Sequence, residues 1–273
     1  MLAFGHPMRL PAIEECESDF QREYGYGDDI RQLFHPYPRK PGPFSYHLRL
    51  QHVLDAFAEY LPAPAKVADV ACAAGNFALR LAEMGYQVTG VDILEDFLSY
   101  ARKKRTEGQI EFVRGNLMEY RHPAPLDGIL MGEVIEHVAW PEKLIAAAYE
   151  NLRAGGIFVV TTPNGTYGGN DLPTFKDVTS DRKKFEEAQF HHGHHLFLYT
   201  PEELADLLEK GGFEVLKVAV FNSHHLTQRT VLRYLFPLSA LKVADRYFSK
   251  MPFLKGSSAN MMYAVARRKS LKS

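Results

Sequence analysis

Apolar and polar positions follow two rhythms along this chain. Short apolar runs at 67–70, 88–91, 110–113, 126–131, 157–161, 213–221 and 259–267 have the length and content of buried strands. Between most of them, apolar residues recur three and four apart, as in amphipathic helices. These stretches are 45–60 (Leu48, Leu50, Val53, Leu54, Phe57), 77–84 (Phe77, Leu79, Leu81, Ala82, Met84), 94–104, a helix opening at Pro141 (Leu144, Ile145, Ala148, Leu152), and 201–212. Pro62 and Pro64 stop the first, Gly85 the second, and Gly155-Gly156 the helix that Pro141 opens. Thr200 with Glu203 reads as a capping box for the last. Strands alternating with helices predict an α/β fold, a doubly wound and mostly parallel sheet with ligands at the carboxyl ends of its strands.

Three segments fall outside that rhythm. Residues 1–43 are rich in prolines and aromatics (Phe34-His35-Pro36-Tyr37-Pro38) and read as an irregular arm that packs on the domain or covers a site. Residues 164–195 read as a long loop or a small helical insertion. Residues 223–256 hold two apolar stretches on either side of Pro237, with Arg229, Arg233, Lys242, Arg246 and Lys250 among them. They predict a pair of helices, either a cap or a lid that encloses an apolar substrate or touches a membrane surface. The organisation expected is an arm at 1–44, a main domain at 45–222 completed by 257–273, and a helical insertion at 223–256.

Composition narrows the class. A chain of 273 residues with 46% hydrophobic content can bury a sizeable core. Its net charge of −1 offers no general attraction for nucleic acid or an anionic surface, so nucleic acid is not the expected partner. Two cysteines, Cys16 and Cys72, do not make a disulfide framework. No secretory signal and no apolar run of about 18 residues is read, so a reducing, cytoplasmic setting is expected. A homodimer is compatible with the sequence.

The chemistry centres on 66–93. An apolar strand runs into the small-residue loop Ala71-Cys72-Ala73-Ala74-Gly75-Asn76, a helix follows, and a second strand ends in Asp92. Small residues let backbone approach a ligand closely. A carboxylate at a strand tip can accept hydrogen bonds from both hydroxyls of a ribose. A dinucleotide site would need G-x-G-x-x-G to seat its pyrophosphate, but this loop has one glycine and no basic residue. A nucleoside cofactor without a pyrophosphate fits better.

This stretch resembles motif I of class I S-adenosylmethionine-dependent methyltransferases, D-x-G-x-G-x-G. Asp69 takes the acidic place, Gly75 the last glycine, and alanines stand at 71 and 73. In order after it come Asp92, GEVIEHV at 132–138, LRAGGIFVVTTPN at 152–164 and HLFLYTPEELADLLEKGGFEV at 195–215. The whole resembles the group that includes ubiquinone-pathway O-methyltransferases. It implies a Rossmann-like sheet of seven strands, the last antiparallel. It also implies S-adenosylmethionine held by Asp69, Ala71, Ala73, Gly75, Asp92, Ile93, Asn116, Leu117 and Gly132. Asn116, where the family usually has an acid near the adenine, reads equally as a base-binding amide and as a turn asparagine.

The E-V-I-E-H segment is also similar to that of small-RNA 2′-O-methyltransferases. There the resemblance implies a divalent metal on Glu133, Glu136, His137 and His195. Physical chemistry reaches three of them independently. At i, i+3 and i+4, Glu133, Glu136 and His137 can share one face of a helical turn, and two crowded carboxylates with an imidazole repel unless a cation or proton joins them; His195, near another strand end, could converge on them. Mixed oxygen and nitrogen donors suit Mg²⁺, Mn²⁺, Fe²⁺ or Zn²⁺. Two other readings stay open: His137 as a metal-free general base, and the carboxylates as helix-start residues with His137 merely packed. His191, His192, His194 and His195 form a dense run, of which His195 is the chosen ligand.

The function expected is methyl transfer to a hydroxyl of a small molecule or saccharide. The rivals are an RNA 2′-hydroxyl as acceptor, and a non-catalytic binding protein on a degenerate fold, which Ala71 and Ala73 motivate.

Overall fold

The computed structural model describes residues 8–178, 182–185, 195–223, 231–248 and 258–270. His191, His192, His194, Arg229 and Lys250 lie outside them, as do residues 1–7 of the arm and 224–230 and 249–257 of the insertion. In chain order the elements are α1 (Gly27–Arg31), α2 (Pro41–Tyr60), β1 (Lys66–Val70), α3 (Asn76–Glu83), β2 (Gln87–Asp92), α4 (Glu95–Lys104), β3 (Gln109–Arg114), β4 (Leu126–Gly132), α5 (Pro141–Asn151), β5 (Leu152–Pro163), α6 (Pro201–Lys210), β6 (Phe213–Ser223), α7 (Leu232–Leu235), α8 (Leu238–Phe248) and β7 (Ala259–Arg268).

The strands form one sheet in the order β3-β2-β1-β4-β5-β7-β6. β1 lies parallel to β2 and β4, with Val67 opposite Val88 on one side and Gly128 on the other. β7 runs antiparallel to both of its neighbours, β5 and β6. The chain reverses its direction of growth between β1 and β4, which opens a crevice at the carboxyl ends of those strands. One apolar core, with Phe57, Leu81 and Val159, lies under α2, α3 and α4. The other, with Phe158, Leu204 and Phe213, lies under α5 and α6. Strands buried on both faces explain why the sequence shows unbroken apolar runs rather than alternation. Thr200 and Glu203 form the expected capping box on α6. No helix of the described residues is long and apolar enough to cross a membrane.

Three expectations are corrected. Residues 1–43 are not irregular throughout: a π-helical turn, Gln21–Tyr26, runs directly into α1. α2 starts at Pro41 rather than at residue 45, because proline at a first helical turn costs no hydrogen bond. Gly155-Gly156 does not end α5, which stops at Asn151. The pair lies inside β5, where pairing with β4 shifts register between Leu126 and Gly128 and Gly155 takes a φ of +75°.

Candidate functional site

The loop after β1 turns back under the tip of β2. Cys72 donates its N–H to Val91 O at 3.0 Å, and Gly75 donates to Cys72 O at 2.8 Å. Ala71, Ala73 and Gly75 have φ of 56°, 45° and 73°. That left-handed conformation is natural for glycine and costs an alanine about 1–2 kcal/mol. The two alanines therefore occupy glycine-like backbone without abolishing the turn. Beside the loop lies a cavity of about 260 Å³. Asp69, Ala71, Ala73, Gly132 and Glu133 line it from the sheet, and Asp28, Gln32, Tyr46 and Arg49 from α1, its flank and α2. A larger groove of about 910 Å³ between α5 and α6 shares no lining residue with the loop or with the glutamate–histidine cluster.

Asp92 is buried at the tip of β2. Its Oδ2 accepts from Ala73 N–H at 2.9 Å and its Oδ1 from Leu94 N–H at 3.0 Å, so it braces the loop. A carboxylate offers about four acceptor sites, more than these two bonds use. Ile93 follows it with half its surface exposed, an apolar face beside an acid. Gly75 sits behind the loop, where a Cβ would meet Ala101 and Phe112 at 2.9 Å. Leu117 packs against the second core. Asn116 is exposed, and its Oδ1 accepts from Met118 N–H at 3.1 Å within its turn.

The glutamates diverge. Glu133 takes a φ of 57° at the tip of β4 and so leaves the helical path. Its Oε1 accepts from Thr161 Oγ1 at 2.9 Å, and its Oε2 is 3.2 Å from Arg49 Nη1. Glu136 and His137 lie in the 3₁₀ turn that follows, Ile135–His137. Glu136 is fully buried. Its Oε2 accepts from Thr162 Oγ1 at 2.9 Å, while its Oε1 has no hydrogen-bond partner and lies 3.9 Å from His137 Nε2. Leu196 N–H donates to Glu136 O at 2.8 Å, which draws in His195. The His137 and His195 rings meet edge to face with centroids 4.8 Å apart. One ligand atom from each of Glu136, His137 and His195 lies within 4.8 Å of the others. Burial and then the neighbouring Glu133 carboxylate push Glu136 well above the usual carboxylate range. Burial and then the His137 ring lower His195. Glu133, expected among the ligands, is held by Arg49 and Thr161, and its carboxylate acts on both Glu136 and His195.

A family model described as a methyltransferase domain matches residues 45–218. The chain belongs to this methyltransferase family. It is a class I S-adenosylmethionine-dependent methyltransferase. It is 28% identical to the ubiquinone biosynthesis O-methyltransferase of Xylella fastidiosa over 197 residues, which is 67% of this chain and 77% of that one. It is 35% identical to the enzyme of that name from Idiomarina loihiensis over 103 residues, which is 36% of this chain and 42% of the relative. Among solved structures it is similar to Haemonchus contortus phosphoethanolamine N-methyltransferase 2 with bound S-adenosyl-L-methionine. That match has a TM-score of 0.57 at 18% identity and covers 95% of this chain and 60% of that one.

In this methyltransferase the loop is also held from below by residues that sequence reasoning missed. Asp29 and Lys104 are buried and paired at 2.7 Å. Lys104 Nζ donates to Ala74 O at 3.1 Å and to Asn76 Oδ1, and Asn76 Nδ2 donates to Asp29 Oδ1 at 2.9 Å. Arg49 was missed too, because only the apolar spacing of its helix was read. Its charge three residues from Tyr46, whose ring lies 5.2 Å from the guanidinium, was the available signal.

Asp69 is buried beneath the loop. Burial raises its carboxyl from an ordinary 3.8 to about 8, against a bond from Ala78 N–H, with Asp92 adding repulsion. The folded chain therefore keeps, between about pH 4 and pH 8, a proton that the unfolded chain has released. Stability contributed by this group is present at low pH and is lost as pH rises through that window. Asp69→Asn is expected to melt higher than wild type, by several degrees more at pH 8 than at pH 5. A pH-independent difference in melting temperature would reject this.

Proposed function

We propose that this methyltransferase transfers the methyl group of S-adenosylmethionine to a hydroxyl of a small molecule or saccharide, with a divalent cation at Glu136, His137 and His195. The observation that carries the cation is the buried Glu136, whose Oε1 has no hydrogen-bond partner and lies 3.9 Å from His137 Nε2, in one cluster with His195. An unpaired buried carboxylate oxygen is costly, and a cation would satisfy it. The donor set, one carboxylate and two histidines, suits Mn²⁺, Fe²⁺ or Zn²⁺ better than Mg²⁺, which prefers oxygen. Glu136, His137 and His195 would hold such a cation, and it would lower the pKa of the acceptor hydroxyl and orient it. The similarity to ubiquinone biosynthesis O-methyltransferases supports a small-molecule acceptor.

The chain's own residues then have positional work. Asp92 accepts from the ribose hydroxyls. Ile93 supplies an apolar platform for the base. Arg49, the one Lys or Arg side chain lining the 260 Å³ cavity among the described residues, faces the carboxylate of the methionine part. The loop backbone at Ala71 to Gly75 receives the rest, and Gly132 leaves room beside it. A second reading makes His137 a metal-free general base, since its side chain is 27% exposed at the cluster's edge. A chelator separates the two, because it leaves the second mechanism unaffected.

Calorimetric titration of S-adenosylhomocysteine tests the cofactor assignment. Asp92→Ala is expected to weaken binding at least about 100-fold, since hydrogen bonds to a charged group are worth about 1.5–3 kcal/mol each. Asp92→Asn, which keeps one acceptor oxygen, should lose less. Equal affinity in wild type and Asp92→Ala would remove Asp92 from the site.

A further inference from the structure

We propose that the Arg49–Glu133 ion pair links the cofactor cavity to the glutamate–histidine cluster, so that S-adenosylmethionine and the divalent cation each favour the binding of the other. This inference rests on the cofactor and cation assignments above. Glu133 belongs to both places. It lines the 260 Å³ cavity together with Arg49, and it stands one short turn before Glu136 in the chain. Thr161 and Thr162 are neighbours on β5, and neighbouring side chains of a strand point to opposite faces of its sheet. Thr161 Oγ1 donates to Glu133 and Thr162 Oγ1 to Glu136, so the two carboxylates leave the sheet's tip on different sides. The charge of Glu133 still reaches across that tip, since it raises both Glu136 and His195.

Arg49 is short of partners. Its guanidinium lies against the Tyr46 and Phe77 rings, 5.2 and 5.6 Å from their centroids, which fixes it at the cavity wall. One nitrogen, Nη1, meets Glu133 Oε2 at 3.2 Å, while Nε is buried with no hydrogen-bond partner. A guanidinium presents its N–H donors in a fork that matches a carboxylate, and the carboxylate of the cofactor would fill it. The other acids that line the cavity from the arm, Asp28 and Asp29, are already paired with Arg31 and Lys104. Once the cofactor is bound, Arg49 therefore faces two carboxylates as the one Lys or Arg side chain lining the cavity among the described residues. Two carboxylates crowded on one cation repel each other. Glu133 gives way, and its charge is then compensated by a cation at Glu136, His137 and His195. In the reverse order, a cation there draws Glu133 from Arg49 and clears the guanidinium for the cofactor. Parting the pair costs the first ligand but not the second, which is positive coupling, equal in both directions by linkage.

Calorimetric titration of Mn²⁺ into the full chain tests it in three states: alone, with saturating S-adenosylhomocysteine, and with saturating 5′-methylthioadenosine, which has the nucleoside but not the amino-acid end. S-adenosylhomocysteine is expected to tighten Mn²⁺ at least about tenfold, and methylthioadenosine less than about twofold. Mn²⁺ should tighten S-adenosylhomocysteine by the same factor. In Glu133→Gln both ligands should still bind, with both factors falling to about one, because the amide carries no charge to pass from Arg49 to the cation. A role of Glu133 in folding alone would leave the factors unchanged. Equal or weaker Mn²⁺ binding in the presence of S-adenosylhomocysteine, or equal tightening by methylthioadenosine, overturns the link and needs no variant to show it. A chain that binds no S-adenosylhomocysteine overturns the cofactor assignment, and one that binds it but no Mn²⁺ in any state overturns the cation assignment. Independent binding of both overturns the link alone.

Discussion

Glu136→Gln is expected to lose divalent-cation affinity by well over about 100-fold while melting at a higher temperature than wild type in chelator. The two effects have opposite signs because one atom causes both. Glu136 Oε1 is buried with no hydrogen-bond partner, so in the metal-free chain it is an uncompensated polar atom. Its carboxyl is pushed well above its ordinary range by burial and by Glu133. An amide carries no charge to desolvate, and its oxygen can still accept from Thr162 Oγ1. The gain should grow as pH rises above the ordinary carboxyl range, because the buried carboxyl must then hold a proton that the amide does not need. The loss of affinity follows because Glu136 is the one anion of the three-residue cluster. Removing even an outer partner of a metal ligand costs about 10–100-fold, and the ligand itself must cost more. Calorimetry with Mn²⁺ and Zn²⁺ and thermal melts in chelator read the two halves separately. Unchanged cation binding with raised stability would leave a buried acid without a metal and favour His137 as general base.

Asp29→Ala should destabilise the fold by about 3–5 kcal/mol, the cost of leaving a buried charge without its partner. Lys104 is fully buried and paired with Asp29 at 2.7 Å, and burial lowers its pKa while Asp29 holds it up. Tyr100 Oη also donates to Asp29 Oδ2 at 3.0 Å. The pair exchanged for apolar residues, Asp29→Leu with Lys104→Met, should be less damaging than Asp29→Ala alone, because no lone charge remains. Denaturant unfolding of Asp29→Leu, Lys104→Met and the double variant gives the coupling between the two positions. The same bonds reach Ala74 and Asn76, so Asp29→Ala should also weaken S-adenosylhomocysteine binding. Additive single-variant effects would show that the pair does not act as a unit.

The sheet and its helices were legible because their signals are local. Apolar runs such as 67–70 and 126–131 need only their own composition to be read as buried strands. Thr200 and Glu203 announce α6 within four residues. The antiparallel last strand came from family resemblance and is present as β7. The prolines and aromatics of the arm read as irregular, yet residues 21–31 are helical. Their helical path depends on a distant partner: a Cβ on Gly25 would meet the Tyr100 ring at 3.0 Å, so glycine there is a packing requirement of α4. Asp29 was invisible for the same reason, its partner being 75 residues away.

Residue chemistry alone determined a nucleoside-binding strand–loop–helix unit without a pyrophosphate cradle, an acid at the tip of its second strand, and a short list of metal-capable side chains. Which of those side chains meet was decided only in three dimensions. Glu133 and Glu136 are equivalent in composition, yet a left-handed φ at Glu133 sends one to Arg49 and leaves the other buried between Thr162 and two histidines. A backbone conformation that most residues avoid is not written in residue type; here it accompanies a hydrogen bond from Glu133 N–H to Thr161 O at 2.9 Å across the sheet. Asn116 likewise has its Oδ1 on its own turn, a contact that residue type does not announce. Local pattern selects the elements, whereas the direction of a single side chain depends on which distant neighbours satisfy it.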